Sequence, residues 1–215
     1  LIRKNKITEK EVKLLAINLK NIHKKLSRGK KYRKYGSINF IKQRWQEIFD
    51  WMNERYMKKI IPIFIKNKLL KWFRKNFSFF AIHIRKRRIH AQRIHGDLNT
   101  ENIFYINGKF YFIDVNELLN EWKRGDPLND IGAIIKDFDA HKRYDLAAKF
   151  ISVYFGNISK EVENSALIYK SYWAAIRYLV YADLLAKKSK KNWKKDEIYK
   201  LKTYQSTLEY YLKTT

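Results

Sequence analysis

The sequence contains no cysteine among its 215 residues, which excludes disulfide bridges, thiolate zinc sites and cysteine nucleophiles. Glycine and proline are also scarce, with 7 and 2 residues, and this composition favours long helices joined by few tight turns. No run of about 18 apolar residues occurs, and the first residues do not resemble a signal peptide. We therefore expect a cytoplasmic protein that has no membrane partner.

Acidic residues are few relative to basic ones. The chain has 47 Lys and Arg against 21 Asp and Glu, a net charge of +26. Residues 1–94 carry 28 basic and 5 acidic side chains, whereas residues 95–215 carry 19 and 16. Part of this excess fits a general bias of the composition toward Lys, Ile, Asn, Tyr and Phe. The rest indicates an anionic partner, because a strong field of one sign attracts ligands of the other.

Two clusters of basic residues form the predicted contact surface for this anionic partner. The clusters are Lys30, Lys31, Arg33 and Lys34 in a glycine-containing connector, and Arg85, Lys86, Arg87 and Arg88 further along the chain. A phosphorylated metabolite and a nucleic acid both fit such a surface, since each presents phosphate oxygens.

The apolar residues, 46% of the chain, predict one mainly helical domain with a substantial core. Helical spacing and capping signals predict helices over 7–27, from Ser37 onward, from Pro62 to Arg88, and over 128–140, 143–155, 161–187 and 193–213. Among them, Asn107-Gly108 joins two β-rich segments, a pattern typical of a two-residue hairpin turn. The predicted fold class is thus mainly α (α+β), helical with a short β-hairpin.

The loop before this hairpin runs from His95 to Asn102 and contains the residues of greatest chemical interest. Asp97 and Asn102 share one tight loop, and Asp114 lies at the end of the returning hairpin strand. Phosphoryl transfer needs a carboxylate that takes the proton of the acceptor hydroxyl, and oxygen ligands that hold Mg²⁺. The three side chains together meet that requirement, although each alone is also typical of a turn or a cap.

These residues resemble the aminoglycoside-phosphotransferase-like branch of the protein-kinase superfamily. More narrowly, they are similar to the prokaryotic proteins of that branch that are often fused to a P-loop ATPase domain. In the family, His-Gly-Asp-x-x-x-x-Asn is the catalytic loop. The resemblance implies that Asp97 is the catalytic base, that Asn102 and Asp114 bind Mg²⁺, and that His95 and Gly96 are structural residues of the loop.

Two further motifs resemble the same family. Asp114-x-x-Glu117 is similar to the Asp-x-x-Glu of the narrower group. Asp126 and Asp130 lie in a segment that resembles Gly-Asp-x-x-x-Asp, whose last Asp braces the catalytic loop through backbone hydrogen bonds. The resemblance therefore implies a structural role for Asp130, and it makes Glu117 and Asp126 candidates for supporting the metal site.

For the whole chain, the resemblance implies that this sequence is the C-terminal lobe of an ATP- and Mg²⁺-dependent kinase. Residues 1–89 would be the basic, helical, substrate-side part, and 90–215 would hold the catalytic loop, the hairpin and the C-terminal helices of the same lobe. The N-terminal lobe, with its phosphate-binding lysine, is absent from the sequence. We expect a fragment of a longer protein whose missing lobe or neighbouring domain is a partner; a natural one-lobe protein is the alternative.

The acceptor and the function stay open at this point. The basic excess disfavours a cationic aminoglycoside, because like charges repel at close range, and it favours a non-cationic small molecule. One alternative is a nucleic-acid-binding module that uses Tyr32, Tyr35, Trp45, Trp72 and Phe73 for stacking, although their helical spacing is more typical of a core. The other is an inactive kinase-like scaffold. His23 and His141 show no partner pattern, and we interpret both as surface or helix residues.

Overall fold

The computed structural model describes residues 6–55, 57–115 and 120–214. Its α-helices are α1 (Glu9–Lys25), α2 (Ile38–Asn53), α3 (Ile63–Arg87), α4 (Leu128–Ala140), α5 (Tyr144–Phe155), α6 (Lys160–Ala186) and α7 (Lys195–Tyr211). Its strands are β1 (Gln92–Arg93), β2 (Ile103–Ile106), β3 (Lys109–Phe112) and β4 (Arg124–Gly125). The predicted helices are confirmed, with ends that shift by a few residues.

Local signals explain where the first helices begin. At the start of α1, the Thr8 hydroxyl accepts a hydrogen bond from the Glu11 amide, and the Glu11 carboxylate accepts one from the Thr8 amide at 2.7 Å. This reciprocal pair satisfies two amides that the helix itself cannot bond. Ser37 caps α2 in a similar way, because its side chain accepts from the Phe40 amide. Pro62 stands one residue before α3, not inside it as its first helical residue.

The predicted hairpin is confirmed in position and register. Strand β2 pairs with β3 antiparallel, from Ile103 opposite Phe112 to Ile106 opposite Lys109. Asn107 and Gly108 form the turn with φ values of 49° and 77°. Both residues tolerate a positive φ better than other types, and this is the geometry that a two-residue turn between twisted strands requires.

A second small sheet was not predicted. Strand β1 pairs with β4, with Gln92 opposite Gly125 and Arg93 opposite Arg124. On its other side, the Arg93 amide donates to the Ser27 carbonyl at 2.8 Å. The segment that enters the loop at His95 is therefore held by the connector after α1 and by the segment before α4.

The core is centred on α4, whose residues are nearly all buried, and on the helices around it. Helices α5, α6 and α7 pack against α4, α1 packs on α5, and α2 and α3 contact α6. Trp45, Trp72 and Phe73 form an aromatic cluster in which the Trp45 and Phe73 rings stack at 5.0 Å between centroids. None of the helices in the described part of the chain combines the length and the apolar character that crossing a bilayer requires.

The burial of these aromatic rings corrects one interpretation of the sequence. The five residues considered for base stacking are all buried: Tyr32, Tyr35, Trp45, Trp72 and Phe73. A ring inside the core is not accessible to a nucleic-acid base, so the prediction that these residues stack on bases is wrong.

Candidate active site

The candidate loop, His95 to Asn102, connects β1 to β2 and ends in a short 3₁₀ turn, Thr100–Asn102. Gly96 has a φ of 88°, and its Cα faces the backbone of Trp122 so closely that a Cβ would overlap the Trp122 carbonyl oxygen. Both features demand glycine at this position. The loop is thus pressed against the segment that leads into β4.

The first half of the loop is held by Asp130 on α4. The amide of His95 donates to Asp130 Oδ2 at 2.7 Å, and the amide of Gly96 donates to Oδ1 at 2.9 Å. His23 on α1 adds a third bond, since its Nε2 donates to Oδ2 at 3.0 Å while its Nδ1 lies 2.7 Å from the Tyr154 hydroxyl. Burial alone would raise the pKa of Asp130, but these donors hold the pKa below its usual value, so the carboxylate stays ionised.

The second half of the loop is held by Asp137, also on α4. The amide and the hydroxyl of Thr100 both donate to Asp137 Oδ2 at 2.9 Å. Its other oxygen accepts from Lys136 Nζ at 2.5 Å and from the Tyr204 hydroxyl at 2.8 Å. Burial by itself raises the pKa of Asp137, yet the adjacent Lys136 ammonium and the donors from Thr100 lower it overall. The loop is therefore fixed at both ends by ionised carboxylates of one helix.

Asp97 lies between these two braces and is half-buried. Its Oδ1 accepts a hydrogen bond from Asn99 Nδ2 at 3.1 Å. Burial raises the pKa of the Asp97 carboxyl above its ordinary value, although the Asn99 bond and the charges of Arg177 and Lys136 oppose that shift. A carboxylate whose proton affinity is raised, held in a rigid loop, is suited to accept a proton from a hydroxyl.

Hydrogen bonds link Asn102 and the neighbour of Asp114 to the same loop. Asn102 Nδ2 donates to the Asp97 carbonyl at 2.9 Å, and the Ile113 amide donates to the Asn102 carbonyl at 3.0 Å. His95 Nε2 donates to the Ile113 carbonyl at 2.8 Å, which fixes the chain immediately before Asp114. Asp114 is exposed and has a φ of 58°, a region in which Asp is tolerated better than most residues.

This donor set can be tested against Mg²⁺. Because Nδ2 of Asn102 is engaged with the Asp97 carbonyl, Oδ1 is the atom that it can offer a metal. Asn102 and Asp114 supply only oxygen ligands, which is what Mg²⁺ requires. Over residues 6–55, 57–115 and 120–214, no three His, Cys, Asp or Glu side chains group together as a metal site. The set therefore fits Mg²⁺ that is also bound by substrate phosphates, the usual arrangement for this ion.

Asp126 supports the fold around the loop. Its carboxylate accepts two hydrogen bonds from Arg87, Nε to Oδ2 at 2.6 Å and Nη2 to Oδ1 at 2.8 Å. Oδ1 also accepts from the Leu128 amide at the start of α4. Glu117, the other candidate for supporting the metal site, lies outside the described residues.

The bond to Asp126 corrects one member of the predicted anionic-partner surface. Arg87 is 5% exposed, because it points into the protein and is paired with a buried carboxylate. It is therefore not available to an external anion. Its neighbours Arg85, Lys86 and Arg88 are exposed, as are Lys30, Lys31, Arg33 and Lys34. Arg88 Nε donates to the Arg33 carbonyl at 3.3 Å, so the two clusters adjoin in space.

Several supporting residues were missed in the sequence. His23 was interpreted as a surface or helix residue, but it is buried and binds Asp130. Its spacing of four residues from Leu19 on the inner stripe of α1 was the signal that it faces inward. Lys136 and Asp137 give no such signal, because charged residues on a central helix are uncommon. Tyr204 gives none either, because it lies 67 residues from Asp137, the carboxylate that it binds.

A recess that is partly open to solvent is lined in part by Trp122, the residue whose carbonyl lies against Gly96 of the loop. Its lining includes Tyr35, Arg44, Trp122, Arg124 and Tyr172. The Arg44 guanidinium lies 3.6 Å from the centroid of the Trp122 ring and donates to the Tyr172 hydroxyl. The aromatic wall of the recess is thus already occupied by a cation of the protein itself.

No protein-family model and no curated protein sequence matches this chain. Among solved structures, the chain is similar to an ethanolamine kinase of Plasmodium vivax, with a TM-score of 0.58 and 16% identity. The match covers 97% of this chain and 60% of the kinase chain, so this chain spans less than two thirds of that protein's length. At this identity the likeness concerns the fold. The chain has a mainly α fold like that of a kinase C-terminal lobe.

Proposed function

We propose that this chain is the catalytic lobe of an ATP- and Mg²⁺-dependent phosphotransferase of the aminoglycoside-phosphotransferase-like branch. The observation that carries the proposal is the loop at His95–Asn102, braced at both ends by α4 and tied through Asn102 to the hairpin strand that precedes Asp114. Positioning and charge stabilisation supply most of the catalysis in phosphoryl transfer, and a loop fixed in this way supplies positioning. An ATP donor agrees with the cytoplasmic location expected from the sequence.

Six residues of the loop and its surroundings have a role in this proposal. Asp97 accepts the proton of the acceptor hydroxyl while the hydroxyl oxygen forms a bond to the γ-phosphorus of ATP. The bond between the γ-phosphorus and the bridging β-phosphate oxygen breaks, and ADP is released. Asn102 and Asp114 would hold Mg²⁺, which when bound neutralises charge on the phosphate oxygens. His95, Gly96 and Asp130 keep the loop in shape, because their hydrogen bonds are made to its backbone.

The proposed acceptor is a non-cationic small molecule. The basic half of the chain and the two arginines that line the recess, Arg44 and Arg124, would repel an amine. The Arg44 guanidinium also covers the Trp122 ring, which a cationic substrate would otherwise contact. For these reasons we do not extend the substrate of the structural neighbour, ethanolamine, to this chain. An acceptor that carries phosphate or carboxylate groups suits the same charges.

A second lobe or neighbouring domain is required to grip the nucleotide. The sheets that the described residues form are the two pairs β1–β4 and β2–β3. Neither is the larger sheet that supplies the phosphate-binding lysine in complete kinases. The chain by itself should therefore bind ATP·Mg²⁺ weakly. Isothermal calorimetry on the 215-residue chain measures this, and micromolar affinity would show that no further lobe is needed.

The decisive experiment replaces Asp97 in the complete phosphotransferase. We expect Asp97→Asn to reduce acceptor-dependent ADP release by roughly 10²–10⁴-fold, the usual contribution of a general base. The control is Asp145→Asn, which removes an exposed carboxylate that is paired with Arg143 on the surface. Circular dichroism confirms folding of both variants. Unchanged turnover in Asp97→Asn, measured over a panel of anionic and neutral acceptors, would reject the proposal.

A further inference from the structure

Helix α3 has one buried face and one exposed face that differ sharply in composition. The buried face contains Ile65, Leu69, Trp72, Phe73, Asn76, Phe80, Ile84 and Arg87. Within the exposed face, one line of side chains runs along the helix: Phe64, Lys68, Lys71, Lys75, Phe79, Ile82 and Lys86. We call these seven residues the α3 outer stripe. At about 100° per residue these seven positions fall within one sector of the helix. The stripe is roughly 33 Å long at 1.5 Å per residue.

The α3 outer stripe is apolar and basic at once. Phe64 is 59% exposed, Ile82 56% and Phe79 45%, which is unusual for large hydrophobic side chains arranged along one line. The four lysines between and beyond them are exposed, and α3 contains no acidic residue to neutralise them. A stable, solvated helix normally pairs such lysines with acidic residues three or four positions away. The absence of these residues leaves a face with unbalanced positive charge.

The stripe continues beyond the end of α3. Ile89 is 63% exposed, and Arg88 contacts the backbone of Arg33 in the connector. The exposed cluster at Lys30–Lys34 therefore lies beside the C-terminal end of the stripe. The same surface that presents apolar side chains is bordered by further cations, so any partner must be both anionic and able to receive hydrocarbon.

An anionic lipid bilayer meets both conditions better than a nucleic acid. Isoleucine side chains such as Ile82 and Ile89 cannot stack on bases, whereas they enter the boundary between head groups and acyl chains readily. The two phenylalanines are about 22 Å apart along the helix, too far to clamp neighbouring bases. Lysines on such a helix extend their ammonium groups to the lipid phosphates while their methylene chains stay on the apolar side.

We propose that the α3 outer stripe docks this protein on the surface of an anionic phospholipid membrane. Lys68, Lys71 and Lys75 contact the head groups, and Phe64 and Ile82 enter the interface on either side of them. The sequence led us to expect no membrane partner because it has no spanning segment, but surface docking requires none. This inference is independent of the phosphotransferase proposal, because it uses no residue of the candidate active site.

Co-sedimentation with lipid vesicles tests the inference. The purified chain is mixed with vesicles of phosphatidylcholine alone, or of phosphatidylcholine and phosphatidylserine in equal parts. We expect binding to the phosphatidylserine vesicles only. The variant Lys68→Gln, Lys71→Gln, Lys75→Gln should bind them on the order of 100-fold more weakly, given the usual contribution of each lysine near such a surface. The matched control, Lys190→Gln, Lys191→Gln, Lys195→Gln, removes equal charge from an exposed region far along the chain and should bind almost as wild type.

A second variant separates lipid from other polyanions. Phe64→Gln, Ile82→Gln keeps every charge and should bind phosphatidylserine vesicles at least ten-fold more weakly, because its apolar side chains no longer enter the interface. Its binding to poly-uridine RNA should equal that of wild type. The inference is overturned if wild type does not sediment with phosphatidylserine vesicles or if the control variant loses as much binding as the α3 variant. It is also overturned if Phe64→Gln, Ile82→Gln binds the vesicles like wild type, which would identify a purely electrostatic site for polyanions.

Discussion

Asp130 and Asp137 lie two helical turns apart on α4 and bind opposite ends of the same loop, Asp130 at the amides of His95 and Gly96 and Asp137 at Thr100. Residues seven positions apart share a face of a helix, so one rigid element sets the shape of the whole loop. Asp97 projects from the stretch between the two contacts. The position of Asp97 therefore depends on the two contacts that α4 makes with the loop.

Asp137 should be costly to remove because of the lysine beside it. We expect Asp137→Leu to lower the free energy of unfolding by about 3–5 kcal/mol, since it leaves the buried Lys136 ammonium without its counter-charge. Urea denaturation measures the change. The double variant Lys136→Met, Asp137→Leu should be more stable than Asp137→Leu alone. A double variant that is less stable would show that the lysine contributes through packing and not through its charge.

The four consecutive basic residues at the end of α3 should differ greatly in their effect on stability. Arg87→Met breaks the buried pair with Asp126 and should cost about 3–5 kcal/mol in the free energy of unfolding. Arg85→Met, two residues away and exposed, should change it by less than about 0.5 kcal/mol. Thermal or urea unfolding of the two variants side by side checks this, and similar values for both would contradict the burial of Arg87.

Two glycines with a positive φ, Gly96 and Gly156, should lose different amounts of stability on substitution by alanine, because their surroundings differ. Gly156→Ala places a Cβ in open space at a φ of 79°, so only backbone strain of about 1–3 kcal/mol is expected. Gly96→Ala has backbone strain and, in addition, an overlap of the new Cβ with the Trp122 carbonyl. It should therefore lower the melting temperature much more than Gly156→Ala does. Equal melting temperatures would mean that the loop and the Trp122 backbone are not in contact in solution.

Stability should fall on acidification because of Asp130 and Asp137. Their folded-state pKa values lie below the ordinary value of about 3.9, so their contribution is complete above that pH and is lost as the pH falls through the folded values. Urea midpoints measured at decreasing pH should drop in this range. Asp130→Asn removes one of the two groups, so its midpoint should fall less steeply than that of wild type.

Asp97 should have the opposite dependence on pH. Its pKa is raised in the folded state, so the stability associated with the protonated carboxyl is lost as the pH rises through that value. Asp97→Asn carries no charge and escapes this loss. The variant should therefore have a melting temperature at or above that of wild type at neutral pH, with the difference shrinking in acid. A clear loss of stability at neutral pH would assign Asp97 a structural role.

The sequence allowed those parts of the fold to be predicted whose signals are local. The turn at Asn107-Gly108 and the start of α1 each depend on residues that are close together in the chain, and both occur where predicted. The pair β1–β4 was missed, because strands of two residues contain no periodic pattern and join segments that are remote along the chain. The candidate loop was visible as a motif, whereas its supports were not.

The spacing of residues along α3 distinguishes the buried basic residue at its end from the exposed ones. Arg87 follows Ile84 by three residues and Phe80 by seven, which places it on the buried stripe, while Arg85, Lys86 and Arg88 fall outside it. His23 follows Leu19 by four residues in the same way. In both cases the charged residue type by itself favours exposure, whereas the spacing indicates burial. The carboxylates that bind them, Asp126 and Asp130, lie 39 and 107 residues away and could not be inferred.

The hydrogen bond between Tyr204 and Asp137 has a consequence for the order of events during synthesis. The loop at His95–Asn102 leaves the ribosome roughly 100 residues before Tyr204, an interval of about 5–20 s at ordinary rates of translation. Until α7 follows, Asp137 lacks the Tyr204 hydroxyl, and Lys136 lacks the ring that lies 5.0 Å from its ammonium group. The second brace of the loop is thus completed last, so a nascent chain holds the whole candidate motif well before it holds a formed site.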